Sequence, residues 1–84
     1  MEFEWDPRKG AENVAKHGVS FEQASKAFDD PMLVLAEDAG HSAAEPRYFA
    51  FGRVGGGVLT VRFTVRGEQV RIFGAGLAQG KGVL

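Results

Sequence analysis

The 84-residue chain contains no cysteine, which excludes disulfide staples, thiolate metal sites and a cysteine nucleophile. No stretch approaches the roughly 18 consecutive apolar residues of a membrane-spanning helix. The opening MEFEWDPRKG carries acids and no apolar run, unlike a secretory leader, so a cytoplasmic location is expected. Histidine is scarce: His17 and His41 are far apart in the chain and make a weak metal pair even with Glu45 or Asp38. No metal and no cofactor is therefore expected. Positive charge is not in excess either. Ten Lys and Arg stand against eleven Asp and Glu, a formal net charge of −1, whereas nucleic-acid binders usually draw affinity from cations that release counterions.

What is present is a chain that is 44% hydrophobic, enough for one compact core and too much for a disordered segment. The length fits a single domain, residues 1–84, of modest buried fraction. The charges are partitioned. Glu22, Asp29, Asp30, Glu37, Asp38 and Glu45 make the first half acidic, whereas Arg47, Arg53, Arg62, Arg66, Arg71 and Lys81 face Glu68 alone in the second. That asymmetry keeps RNA in play as a partner.

Phe3 and Trp5 alternate with acids as in a short edge strand. Asp6-Pro7 then reads as a helix start and Lys16-His17-Gly18 as its end. Ser20 with Gln23 forms a capping box for a second helix, which Asp29-Asp30-Pro31 stops. Trp5, Phe21 and Phe28 read as helix-to-sheet packing. Residues 32–36 predict a strand and residues 37–46 a loop; residues 47–54, 58–65 and 69–73 predict two hairpins. The expected fold is α+β, with two N-terminal helices on one face of a mostly antiparallel sheet of about four strands. Residues 74–84 are small and glycine-rich and read as a weakly ordered or short helical tail.

Register follows from the apolar pattern, because a slip of one residue turns every side chain over. With a turn at Gly55-Gly56-Gly57, Val54 faces Val58; with a turn at Arg66-Gly67-Glu68, Val65 faces Val70. One side then carries Phe49, Phe51, Leu59, Val61, Phe63, Val65, Val70 and Ile72 as core. The other carries Tyr48, Ala50, Gly52, Thr60, Arg62, Thr64, Arg71 and Phe73. Guanidinium groups that fork onto phosphate, hydroxyls, and an aromatic ring for base stacking suit a single-stranded RNA platform. From the pattern alone, an ordinary solvated sheet face is the plainer reading and stands ahead of the platform.

Several of these residues together carry a resemblance. Phe3-Glu4-Trp5-Asp6-Pro7 with Lys9, Asn13, the Lys16-to-Phe21 run KHGVSF, and Phe28-Asp30-Pro31 resemble the BrnT toxin family. So do Asp38, His41, Glu45-Arg47-Tyr48, Gly52, Leu59-Val61, Phe63-Thr64, Arg66 and Arg71-Ile72. The resemblance implies a RelE-like fold and metal-independent RNA cleavage through the RNA's own 2′-hydroxyl. It also implies a ribbon-helix-helix antitoxin as partner, in a heterotetramer. On this reading His41, Glu45, Arg47 and Arg71 are the expected catalytic residues, with His41 or Glu45 moving protons. Tyr48, Arg62, Thr64, Arg66 and Lys81 are the expected RNA contacts. Glu45 paired with Arg47 beside an exposed loop histidine is the competing reading. The segment Gly74-Ala75-Gly76 stands where many relatives have Ser-Ala-Arg and a basic tail. That departure motivates an alternative function, a degraded toxin homologue that binds antitoxin or RNA without cleaving it.

Overall fold

A computed structural model describes residues 1–78, the side chain of His41 excepted. Strand β1 (Glu2–Glu4) leads into helix α1 (Pro7–His17) and helix α2 (Phe21–Ser25), which tightens into a 3-10 turn at Lys26–Asp29. Strand β2 (Val34–Glu37) and a 3-10 turn at Ala39–His41 follow, then β3 (Tyr48–Val54), β4 (Gly57–Arg66) and β5 (Gln69–Leu77). The five strands make one sheet in the order β1-β5-β4-β3-β2. β1 runs parallel to β5, and every other pairing is antiparallel. The α+β architecture is thus the expected one, with five strands.

The local signals act as the sequence reading expects. The Asp6 carboxylate accepts from the Arg8 amide at 2.9 Å, Pro7 needs no partner at the first turn, and Gly18 closes α1 at φ 70°. The capping box is reciprocal: Ser20 Oγ accepts from the Gln23 amide at 3.0 Å and Gln23 Oε1 from the Ser20 amide at 2.9 Å. Asp30 stops the second helix and ties it to the sheet, accepting from the Met32 amide at 2.8 Å and the Arg53 amide at 2.7 Å.

Phe21, Ala24 and Ala27 bury one helix face against Ala50, Val61, Phe63 and Ile72. Burying side chains such as Phe21, Val61 and Ile72 stabilises the fold by about 1.5–3 kcal/mol each. An aromatic row crosses the layers: Phe3 packs on Phe28 at 5.2 Å, Phe28 on Phe63 at 5.1 Å, and Phe63 on Tyr48 at 5.5 Å. Helix α1 is held differently. Its one buried residue is Asn13, whose amide donates to the carbonyls of Val19 and Ala75 at 2.8 Å each and accepts from the Ala75 amide at 3.2 Å. One side chain thus satisfies both backbone groups of Ala75, beyond the point where β1 ends.

Two expectations are corrected. The first hairpin closes over the two residues Gly55-Gly56, with Val54 opposite Gly57, instead of over three. Gly55 takes φ 60°, which suits a two-residue hairpin turn. Every residue of β3 is therefore turned over. Tyr48, Ala50 and Gly52 face the helices, and Phe49 and Phe51 stack on the open face with centroids 6.2 Å apart. Close packing explains the choice: a Cβ on Gly52 would stand 2.3 Å from the Ala27 carbonyl oxygen, so only glycine lets the 3-10 turn settle here. The second correction is the length of β5. Residues 74–77 pair with β4 instead of belonging to a tail, after a bulge at Arg62/Phe63, and Asn13 holds their outer edge at Ala75. Residues 79–84, with Lys81, lie outside the described residues. The second hairpin has the expected register, Val65 opposite Val70 and Phe63 opposite Ile72, although Val65 ends up half exposed.

Candidate functional site

The loop between β2 and β3 is pinned at its base and laid across the open face of the sheet. The Asp38 amide donates to the Arg47 carbonyl at 2.7 Å. Ser42 Oγ donates to the Asp38 carbonyl at 2.7 Å and accepts from the Arg47 amide at 3.0 Å. Thr64, on β4, donates its hydroxyl to the Pro46 carbonyl, and this contact fixes Glu45 and Arg47 over β4 and β5.

Glu45 accepts a forked pair of hydrogen bonds from Arg66, 2.9 Å from Nη2 and 3.3 Å from Nε. That guanidinium holds the Glu45 carboxyl below its ordinary value, aided by the charges of Arg47 and Arg71, and Glu45 in turn raises Arg66. Glu45 is therefore a carboxylate at neutral pH, able to accept a proton but carrying none to give. Arg47 lies 4.6 Å above the Phe73 ring, and Arg62 shares the same ring at 5.6 Å. Cations held on an aromatic face keep a defined direction without losing their charge. Arg71, opposite Thr64 in the sheet, reaches Glu4 at 3.6 Å.

The structure thus brings together Glu45, Arg47, Arg66 and Arg71, with Arg62 joined through Phe73. Glu45 pairs with Arg66 and not with Arg47. Two expected RNA contacts are placed otherwise. Tyr48 faces the helices and packs on Phe63, because the two-residue turn reverses β3. Thr64 stands on the open face but is only 2% exposed, its hydroxyl taken by Pro46. The backbone of His41 ends the 3-10 turn in the same loop; its side chain, like Lys81, lies outside the described residues.

Phe73 as an arginine platform is seen only in the structure. It is the extra residue of the β5 bulge, and alternation alone does not reveal a bulge. Asn13 gives a faint signal, a weak helix former in mid-helix.

A mostly antiparallel sheet, covered by helices on one face and gathering arginines on the other, defines the class: a small α+β domain with an anion-ready surface. The family model for the ribonuclease toxin BrnT of type II toxin–antitoxin systems matches residues 5–81. The chain belongs to this family. Membership brings RNA as substrate and an antitoxin protein as partner. No curated protein matches the chain. Among the described residues no helix is long and apolar enough to cross a membrane.

Proposed function

We propose that this toxin cleaves single-stranded RNA without a metal, at the open sheet face, with the RNA's 2′-oxygen as nucleophile. The observation that carries the reading is the grouping of arginines on one sheet face: Arg66 forked onto Glu45, Arg47 over Phe73 and Arg71 beside Glu4, with the charges of Arg47 and Arg71 also acting on Glu45. A 2′-oxygen attacks the adjacent phosphorus, the bond to the 5′-oxygen breaks, and the products are a 2′,3′-cyclic phosphate and a 5′-hydroxyl end. Three guanidinium groups supply the positive field that the developing phosphorane dianion needs. Glu45, already ionised, takes up the 2′-hydroxyl proton as Arg66 turns onto phosphate. His41, in the same loop, is the proposed donor to the leaving 5′-oxygen. Arg62 joins as a phosphate contact through its place on Phe73. The antitoxin is proposed to be of ribbon-helix-helix type, in a heterotetramer with two toxin copies, in the cytoplasm.

Induced expression in a bacterial host, following growth and RNA integrity, tests the proposal. Growth arrest with new RNA fragments is expected, and both are lost when Arg47 and Arg71 are replaced by Ala in a protein that still folds. Arrest that persists in the double variant would remove these residues from the site. Normal growth and intact RNA with the wild-type protein would favour the binding module that does not cleave.

A further inference from the structure

Beside the arginine-lined face lies a second feature, which shares Arg62 and Phe73 with the cleavage site but has a helix wall that the site does not use. An open cleft of about 420 Å³ runs between the polar side of α1 and the open face of β4 and β5. Lys9, Lys16 and His17 stand along its helix wall, and Thr60, Arg62 and Phe73 along its sheet wall. The floor at Gly74 and Gly76 has no side chains. One acid, Glu12, lines it against three permanent cations. Lys9 and Lys16 make no ion pair among the described residues, so both charges are available to a ligand. The spacing is built in: positions 9, 12, 13 and 16 fall on one helix face, and Asn13 clamps that face to Ala75.

We propose that this cleft binds the RNA strand on one side of the scissile phosphate, holding its backbone between the α1 lysines and Arg62. The inference rests on the cleavage reading above, because it takes the strand to continue from that site. Two observations favour RNA over a small free anion. The cleft shares Phe73 and Arg62 with the arginine patch, since Arg47 lies over the same ring, so one continuous path joins them. The cations are spread along two turns of helix instead of converging on a point, which matches phosphates repeated along a strand. His17 adds a hydrogen-bonding ring at one end of the path. The glycine floor leaves room for ribose and base.

The floor also offers a clean test. A Cβ at Gly76 would meet nothing within 4 Å, and its backbone is not in the left-handed region. Gly76→Leu therefore adds a side chain to the cleft floor with no clash at its Cβ. The probe is a fluorescent 2′-O-methyl oligoribonucleotide of about eight nucleotides, which cannot be cleaved because its 2′-oxygen is blocked. Lys9→Ala/Lys16→Ala is expected to weaken binding at least about tenfold at low salt and to flatten the plot of log K against log salt by about 1.4. Gly76→Leu is expected to weaken it by a similar factor with an unchanged melting temperature. Wild-type affinity and salt slope in both variants, alongside wild-type cleavage, would overturn the cleft and leave the cleavage reading standing. Failure of the wild type to bind the probe would overturn the cleft as well. If the wild type also fails to cleave unmodified RNA, the cleavage reading falls with it.

Discussion

Asn13 does at one position what an apolar stripe usually does along a whole helix. Helix α1 buries no other residue, so its attachment depends on three hydrogen bonds from one amide. Asn13→Ala leaves the Ala75 amide and two carbonyls without their partner, and each such group costs about 1–3 kcal/mol when water cannot replace it. A loss of about 2–4 kcal/mol is expected, read as a lower urea midpoint at unchanged slope. Asp30 illustrates a pH effect at the same scale. Hydrogen bonds from the Arg53 and Met32 amides hold its carboxyl below the ordinary 3.8. The folded value is depressed, so this contribution is complete above the unfolded value and disappears as pH falls through the folded one. Asp30→Asn is accordingly expected to lower the urea midpoint at pH 7, with the gap from wild type narrowing below about pH 4. A gap that stays constant with pH would assign the effect to packing.

Among the elements, β3 separates what pattern reveals from what it hides. Caps, stop signals and the register of the second hairpin are legible because each is carried by local chemistry: Asp6, Ser20 with Gln23, Asp30, and the facing pair Val65 and Val70. Three consecutive glycines at residues 55–57 permit either a two- or a three-residue turn, and Phe49 and Phe51 make the wrong one attractive. The deciding contact is remote, Gly52 beneath the Ala27 carbonyl. The observed register predicts that Gly52→Ala destabilises by about 1–3 kcal/mol through overpacking. Phe51→Gln, on the open face, is expected to cost less. Urea denaturation of the two variants checks the ordering, and the reverse order would restore the three-residue turn. The extension of β5 to Leu77 was hidden for a similar reason: its outer edge is satisfied by a helix side chain instead of by a strand.

At the scale of the whole molecule, a chain of net charge −1 reconciles with RNA through the separation of its charges. Arg47, Arg62, Arg66 and Arg71 collect on one sheet face, Lys9 and Lys16 flank them on α1, and Asp29, Asp30 and Glu37 lie toward β2. The pairing of Glu45 with Arg66 and the sharing of Phe73 by two arginines were not legible, because they depend on how the 38–47 loop crosses the sheet. Residue types and the family's motifs supplied the candidates; the fold supplied the grouping. The proposed cleavage runs through the RNA's own 2′-oxygen without a metal. It is tested most directly with purified protein, in excess EDTA, on a defined RNA and on the same strand bearing one 2′-deoxy residue at the cleaved position. The proposed mechanism gives cleavage of the first to a 2′,3′-cyclic phosphate and a 5′-hydroxyl, and none at the substituted position. Cleavage at the deoxy residue, or activity only when a divalent ion is restored, would contradict it.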